Sequence, residues 1–177
     1  MLVNLQKRYA VSRLSLLPYV RSLKRRLRLG RREFNLCFVD DDGIRRLNAA
    51  FRGKDEATDV LSFPWAEDRQ PGRGKRNSRA RLYSGGKERK EFANFLGDIA
   101  ISVDTARRNA AREGHSPLNE IRWLIPHGVL HLLGYDHEDD NGEMIELELA
   151  LREQLRIERR SPKLANRKLK TPSRAKQ

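Results

Sequence analysis

The chain is poor in the features that mark secreted and membrane proteins. It has a single cysteine, Cys37, among 177 residues, so an internal disulfide is excluded. No apolar run approaches the roughly 18 residues that cross a bilayer, and the N-terminus lacks the basic, apolar and small-residue order of a secretory signal. We therefore expect a soluble, cytoplasmic protein with no membrane partner, in which Cys37 is a buried structural thiol.

Acidic residues are scarce in three stretches of a chain whose net charge is +13. Residues 1–32 hold ten lysines or arginines and no acid, residues 66–90 hold nine basic and three acidic residues, and residues 160–177 hold seven basic residues and no acid. Such clusters can bind phosphates, although they also serve solubility. Residues 1–32 resemble a transit peptide in composition, but the alternation in VNLQK favours a folded strand.

Apolar periodicity predicts strands mixed with helices. It predicts strands at 2–6, 34–40, 57–65 and 96–103, and helices at 16–27, 41–51, 104–112, 117–133 and 140–158. Some strands follow one another too closely for crossover helices, so we predict an α+β domain with a small, mostly four-stranded sheet and about five helices. This domain spans 1–159; residues 66–90 form a mobile insertion and residues 160–177 a disordered tail.

Three of the four histidines lie in HGVLHLLGYDH, residues 127–137. His127 and His131 are four residues apart, so they project from one face of the predicted helix. Gly134 ends that helix and lets the chain turn, which can bring His137 to the same ion. Three neutral imidazoles favour Zn²⁺, one ion per chain, and leave a fourth position for water. The spacing therefore predicts a catalytic metal site at a helix and the turn that follows it.

The residue directly after the first histidine distinguishes this site from that of zinc proteases. Metzincin proteases share the histidine spacing but carry a general-base glutamate where this chain has Gly128.

Two other interpretations of the histidine cluster stay open: histidines buried in a core, and a structural zinc site closed by His115 as the fourth ligand. Asp136 is either a partner of a ligand imidazole or a turn residue. Pro126 lacks an amide hydrogen, so we expect a kink or a new segment before His127.

Three stretches together resemble the YbeY family of metal-dependent endoribonucleases, which mature ribosomal RNA. The first is HGVLHLLGYDH with GHS ahead of it at 114–116. The second is LNAAFRGKDEATDVLSFP at 47–64, and the third is LGDIAIS at 96–102. The resemblance covers roughly residues 33–159 apart from the insertion.

The resemblance implies roles for particular residues. It implies that His127, His131 and His137 bind zinc, that Arg52 acts on RNA phosphate, and that His115 assists proton transfer or orients substrate. It also implies an α+β fold, cleavage of single-stranded RNA, and action on the small ribosomal subunit in rRNA 3′-end maturation and ribosome quality control. An arginine suits the phosphate role because its fork of donors binds two oxygens at once.

Two other functions compete with the endoribonuclease hypothesis. A ribosome-associated assembly protein with a structural zinc would contribute RNA binding alone, and removing its zinc would unfold the domain. A metal hydrolase of a small substrate would not need the basic segments. For the endoribonuclease itself, attack by water and attack by the RNA 2′-OH are both compatible with the sequence.

Overall fold

The computed structural model describes residues 1–65, 93–135 and 142–155 of the chain. The elements in these ranges are β1 Leu2–Asn4, α1 Arg13–Arg26, β2 Glu33–Val39, α2 Asp41–Arg52, β3 Val60–Pro64, β4 Phe95–Ser102, α3 Val103–Glu113, α4 Pro117–Leu132 and α5 Glu143–Gln154. The predicted α+β class, with four strands and five helices in the described ranges, is confirmed. The predicted insertion and tail lie outside these ranges.

The four strands form one sheet in the order β1-β2-β4-β3. Strands β1, β2 and β4 are parallel, whereas β3 runs antiparallel to β4, with Val60 opposite Ile101 and Pro64 opposite Gly97. Helix α1 connects the parallel neighbours β1 and β2, as a crossover between parallel strands requires. No helix among the described residues is long and apolar enough to span a membrane.

Alternation along β2 directs side chains to the two faces of the sheet. Phe34, Leu36 and Phe38 belong to the main core, which also contains buried residues of α1, α4 and α5. On the other face, Val39 packs with Ile44 of α2 in a smaller cluster. The sheet is therefore covered by helices on both faces, and the histidine-bearing helix α4 lies on the larger core.

Cys37 packs against the smaller cluster and is partly buried, so the burial predicted for its thiol is only partial. Burial raises the pKa of its thiol, and the charge of Asp98 adds to this effect. The thiol is therefore protonated at neutral pH, consistent with the structural role predicted for it.

The first 32 residues belong to the folded domain. Leu2 of β1 and Leu16, Tyr19 and Leu23 of α1 are buried in the main core. The backbone of β1 pairs with β2 over three residues. The basic composition of this segment therefore occurs on a folded element, as the alternation in VNLQK predicts.

The helix starts follow from local side-chain caps, with three corrections. Ser116 caps α4 directly before Pro117, as the sequence predicts, whereas α1 begins at Arg13 behind a Ser12 cap, three residues before the predicted start. Helix α2 is capped by Asp40, not by Asp41 or Asp42, because the Asp40 carboxylate accepts from the Gly43 amide at 2.8 Å. Likewise α3 begins at Val103 behind a Ser102 cap, one residue before the predicted start.

Candidate metal centre and adjoining cleft

Two of the three clustered histidines face each other on helix α4. The Nε2 atoms of His127 and His131 lie 3.2 Å apart, and their ring planes are inclined by 77°. A tetrahedral zinc ion with Zn–N bonds of about 2.05 Å holds two imidazole nitrogens about 3.3 Å apart. The pair is therefore spaced as two ligands of one ion would be, and its donor chemistry fits zinc.

The third predicted ligand, His137, lies outside the described residues. Within 1–65, 93–135 and 142–155, no group of three His, Cys, Asp or Glu side chains is arranged to hold a metal ion. Helix α4 ends at Leu132, and Gly134 follows with a φ of 93°, which residues with a Cβ rarely adopt. The backbone turns after the helix as predicted, and the ligand role of His137 stays a prediction.

Gly128 faces the sheet and lies against it. A Cβ at this position would stand 2.8 Å from Ile99 Cγ2 and 3.1 Å from Ser62 Oγ. The Ser62 hydroxyl donates to the Gly128 carbonyl at 3.0 Å and so joins β3 to α4. A larger side chain at this position would crowd Ile99 and Ser62. The glycine that replaces the protease glutamate therefore also lets α4 lie close to the sheet.

Pro126 lies within the continuous helix α4, so of the two alternatives predicted for this residue a new segment is excluded, and a kink stays a prediction. Its missing amide hydrogen would have bonded the carbonyl of Arg122, four residues earlier. That carbonyl instead accepts from the Tyr19 hydroxyl of α1 at 2.6 Å. Helix α4 tolerates the proline before its first histidine because a side chain from another helix replaces the lost donor.

A buried carboxylate of α5 contacts His127 from the side opposite His131. Glu148 Oε2 lies 3.2 Å from His127 Nδ1, and Glu148 Oε1 accepts from Arg152. Arg152 in turn lies over the Trp123 ring, with its Cζ atom 4.7 Å from the centroid. Burial alone would raise the pKa of Glu148, but the hydrogen bond to His127 and the nearby Arg152 charge lower it below its usual value.

These residues line a cleft of about 340 Å³ beside the histidines. Its wall is formed by Asp59, Val60, Glu120, Trp123, Leu124, His127, Glu148 and Arg152. Three carboxylates and one guanidinium make the wall net acidic. The charge of this wall opposes binding of a phosphate group inside the cleft.

The sequence also matches one family over most of its length. The family model for endoribonuclease YbeY matches residues 10–156. The chain belongs to the endoribonuclease YbeY family. The resemblance expected from the three sequence stretches is thereby confirmed.

Curated relatives carry the same description. The endoribonuclease YbeY of Nautilia profundicola is 46% identical over 113 residues, which is 64% of this chain and 65% of the relative. The endoribonuclease YbeY of Desulforamulus reducens is 45% identical over 129 residues, which is 72% of this chain and 74% of the relative. The match to the Nautilia relative thus spans slightly less than two thirds of that protein.

A solved structure is similar over nearly the whole chain. It is a solution structure of a Thermotoga maritima protein, with a TM-score of 0.54 and 25% identity, covering 88% of this chain and 89% of that one. The fold of this YbeY family member therefore has a counterpart determined in solution.

His115, a predicted catalytic residue of this YbeY family member, lies behind the cleft wall. Its side chain is 0% exposed, and its Nε2 atom is 3.1 Å from Glu120 Oε2. Its ring packs on Trp123, with centroids 4.4 Å apart. His115 therefore reaches the cleft through Glu120, and its other ring nitrogen lies 3.2 Å from the Ser116 carbonyl. Among the described residues no contact joins it to the histidine pair as a fourth ligand. Burial raises the pKa of Glu120, and the charge of Asp59 adds to this although His115 opposes it.

Arg52 is the last residue of α2 and is exposed. Gly53 follows with a φ of 70° and ends the helix, and the Asn48 side chain then donates to the Glu56 carbonyl at 2.9 Å. This loop leads to Asp59 in the cleft wall. The YbeY stretch at 47–64 thus joins Arg52 to the cleft along the chain, although no contact between described residues joins its guanidinium to the histidines.

Sequence reasoning missed Asp59, Glu120, Glu148 and Arg152, all of which line the cleft. A signal for Glu148 was present, because it lies four residues after Met144 and three before Leu151 on the inward face of α5. A carboxylate on an apolar helix face needs a partner, and Arg152 is the next residue at helical spacing. Asp59 offered no such signal, because its side-chain partner Asn109 comes from the distant helix α3. Glu120 lies only five residues after its partner His115, but nothing in that spacing marked the pair.

Proposed function

We propose that this chain is a zinc-dependent endoribonuclease that cleaves single-stranded RNA. Its proposed cellular role is small-subunit rRNA 3′-end maturation and ribosome quality control in the cytoplasm, with the small ribosomal subunit as partner. Family membership supports the reaction class. The observation that carries the zinc assignment is the His127–His131 pair, whose facing nitrogens lie 3.2 Å apart while Glu148 contacts the outer nitrogen of His127.

In this proposal His127, His131 and His137 hold the ion. When bound, zinc would polarise a phosphoryl oxygen and lower the pKa of a water molecule. The side chain of His127 is 25% exposed, so the site is open to substrate on one side. An open side favours a catalytic ion over a structural one, because structural sites are closed by a fourth protein ligand.

Two roles are proposed for the other side chains of the site: binding of the phosphate and shaping of the cleft. The exposed Arg52 is proposed to bind the scissile phosphate and offset the charge that develops on it. Of the two roles predicted for His115, orientation fits better, because its buried ring holds Glu120 in the cleft wall. The acidic wall would oppose binding of phosphates deeper in the cleft, and the ion and Arg52 would act on the scissile phosphate beside His127 and His131.

Basic segments near the site are proposed to bind the rest of the RNA. The segment between β3 and β4 carries all nine basic residues of 66–90. Its two ends are joined by the Trp65 amide, which donates to the Leu96 carbonyl at 2.9 Å. A Cβ at the neighbouring Gly97 would touch Leu132, so these ends lie beside the C-terminal end of α4. This position suits a segment that holds RNA against the histidine site.

The test is cleavage of a single-stranded RNA by zinc-loaded protein, with Arg52→Ala beside it. We expect Arg52→Ala to lose about 100-fold or more in rate, as expected for removal of a charge-stabilising donor. Arg46→Ala, an exposed arginine on the same helix, is the matched control and should cleave at the wild-type rate. Zinc content and circular dichroism are measured for all three proteins.

The outcomes separate the competing functions. Equal cleavage by wild type and Arg52→Ala contradicts the role of Arg52 and points to a contaminating nuclease. No cleavage by folded, zinc-loaded wild type, together with unfolding on zinc removal, favours the assembly protein with a structural zinc. The product ends identify the attacking group, because attack by the 2′-OH leaves a cyclic phosphate and attack by water does not.

A further inference from the structure

The contact between Glu148 and His127 is a hydrogen bond, and the chemistry of the two groups determines which one donates and which one accepts. The Arg152 guanidinium donates to one oxygen of Glu148, so the side chain is paired as a carboxylate and can only accept hydrogen bonds. The hydrogen in the 3.2 Å contact therefore belongs to Nδ1 of His127. In a neutral imidazole the other nitrogen then carries the lone pair, and that nitrogen is the Nε2 that faces His131.

The Glu148 carboxylate is itself held in place on both oxygens. One oxygen contacts His127 and the other accepts from Arg152, whose guanidinium lies over the Trp123 ring. Trp123 is on α4, one turn before His127, and is 7% exposed. The chain of contacts from α5 thus returns to the helix that carries the histidines, so rotation of Glu148 would break contacts at both of its ends.

We infer that Glu148 is a positioning residue for the metal centre, which holds His127 in the tautomer that presents the Nε2 lone pair to zinc. Arg152 supports it by fixing the second carboxylate oxygen. The inference rests on the proposed zinc site. Carboxylates that orient metal-binding histidines in this way typically change metal affinity by 10- to 100-fold when removed.

The first experiment measures zinc affinity of the full chain by competition with a chelator. Glu148→Gln keeps the size of the side chain but removes its charge, and we expect zinc to bind 10- to 100-fold more weakly. Glu146→Gln makes the same charge change at an exposed position on α5 and should bind zinc like the wild type. Arg152→Gln should weaken binding in the same direction but by less, because Glu148 remains charged.

The second experiment reads the tautomer directly in metal-free protein by ¹⁵N NMR of the histidine rings at about pH 8, above the usual imidazole pKa. Wild type should show His127 protonated at Nδ1, and Glu148→Gln should shift the population toward Nε2 protonation. A purely structural role for Glu148 would change thermal stability without changing the tautomer.

The outcomes distinguish this inference from the proposed function. Unchanged zinc affinity in a folded Glu148→Gln variant overturns the inference, as does an Nε2-protonated His127 in the wild type. If Glu148→Gln does not fold, Arg152→Gln and the wild-type tautomer decide the question. A wild type that binds zinc with Nδ1-protonated His127 but does not cleave RNA contradicts the proposed function and leaves the positioning role supported.

Discussion

At the scale of single residues, Gly128 determines how closely the histidine helix approaches the sheet. Its missing side chain leaves room for Ile99, which is fully buried on β4. The Ser62 hydroxyl then reaches the Gly128 carbonyl. From sequence, the glycine showed only that a protease base was absent. Its packing role depends on which strand lies under the helix, and short-range spacing carries no information about that.

We predict that Gly128→Ala destabilises the protein. The added methyl group would lie 2.8 Å from Ile99 Cγ2, and overpacking of this kind costs about 1–3 kcal/mol. Alanine has a better helix propensity than glycine, which stabilises the helix by about 1 kcal/mol. The net loss in the free energy of unfolding is therefore about 1 kcal/mol. Urea unfolding measures it. In an Ile99→Ala background the same substitution should cost less, and strictly additive losses would contradict the proposed clash.

A second residue-scale prediction concerns Asp41, which links the starts of α2 and α3. Burial alone would raise its pKa, but hydrogen bonds from Arg108, Ser102 and Thr105 lower it to about 2. Because the folded pKa lies below the ordinary value of 3.8, the ionised group stabilises the fold above about pH 4. That contribution should disappear as the pH falls from about 4 to about 2.

The measurement is urea unfolding of wild type and Asp41→Asn across this pH range. The stability difference between them should shrink as the pH falls, because the carboxylate becomes protonated in the wild type. Asp42→Asn, an exposed neighbour whose side chain is 71% accessible, is the control and should differ little from wild type throughout. A difference between Asp41→Asn and wild type that does not change with pH would refute the assignment.

At the scale of elements, α1 and α4 are joined where α4 has a broken backbone hydrogen bond. The Tyr19 hydroxyl donates to the Arg122 carbonyl, and Arg122 NH2 donates to the Ser15 carbonyl at 3.3 Å. Burial raises the pKa of Tyr19 far above its usual value, so the hydroxyl keeps its hydrogen. The two contacts hold the histidine helix against α1 and compensate for Pro126.

We predict that Tyr19→Phe destabilises the protein by about 1–2 kcal/mol, because it leaves a buried carbonyl without a donor. Thermal and urea unfolding measure the loss. In a Pro126→Ala background the restored amide supplies that carbonyl from within the helix, so Tyr19→Phe should then cost much less. If Tyr19→Phe costs the same in both backgrounds, the tyrosine stabilises the fold through its ring and not through this hydrogen bond.

At the scale of the whole molecule, charge is separated between basic segments and an acidic cleft. The basic stretches at 66–90 and 160–177 contrast with the three carboxylates of the cleft wall. An RNA strand would therefore gain its affinity from phosphate contacts outside the cleft. In the proposed function, the histidine pair and the exposed Arg52 are the groups that act on the scissile phosphate.

We predict that replacing the seven basic residues of 160–177 by glutamine weakens binding of single-stranded RNA and flattens its salt dependence. Each lost phosphate contact should reduce the slope of log affinity against log salt by about 0.7. Fluorescence anisotropy over a salt series measures both quantities, with zinc content as the control for an intact site. An unchanged slope would show that the tail does not bind RNA phosphates.

The sequence by itself determined the features that depend on neighbouring residues: the helix and strand periods, the Ser116 cap, the turn at Gly134, and the one-turn spacing of His127 and His131. Local backbone geometry sets these, so they can be derived without knowing the fold. Even here the cap of α2 was predicted at Asp41 or Asp42 and lies at Asp40, because the choice depends on the residue at which β2 ends. The tertiary structure alone decided the sheet order, the Tyr19 contact with Arg122, and the meeting of Glu148 with His127. Those contacts join residues far apart in the chain, and packing of the two helical layers on the sheet brings them together.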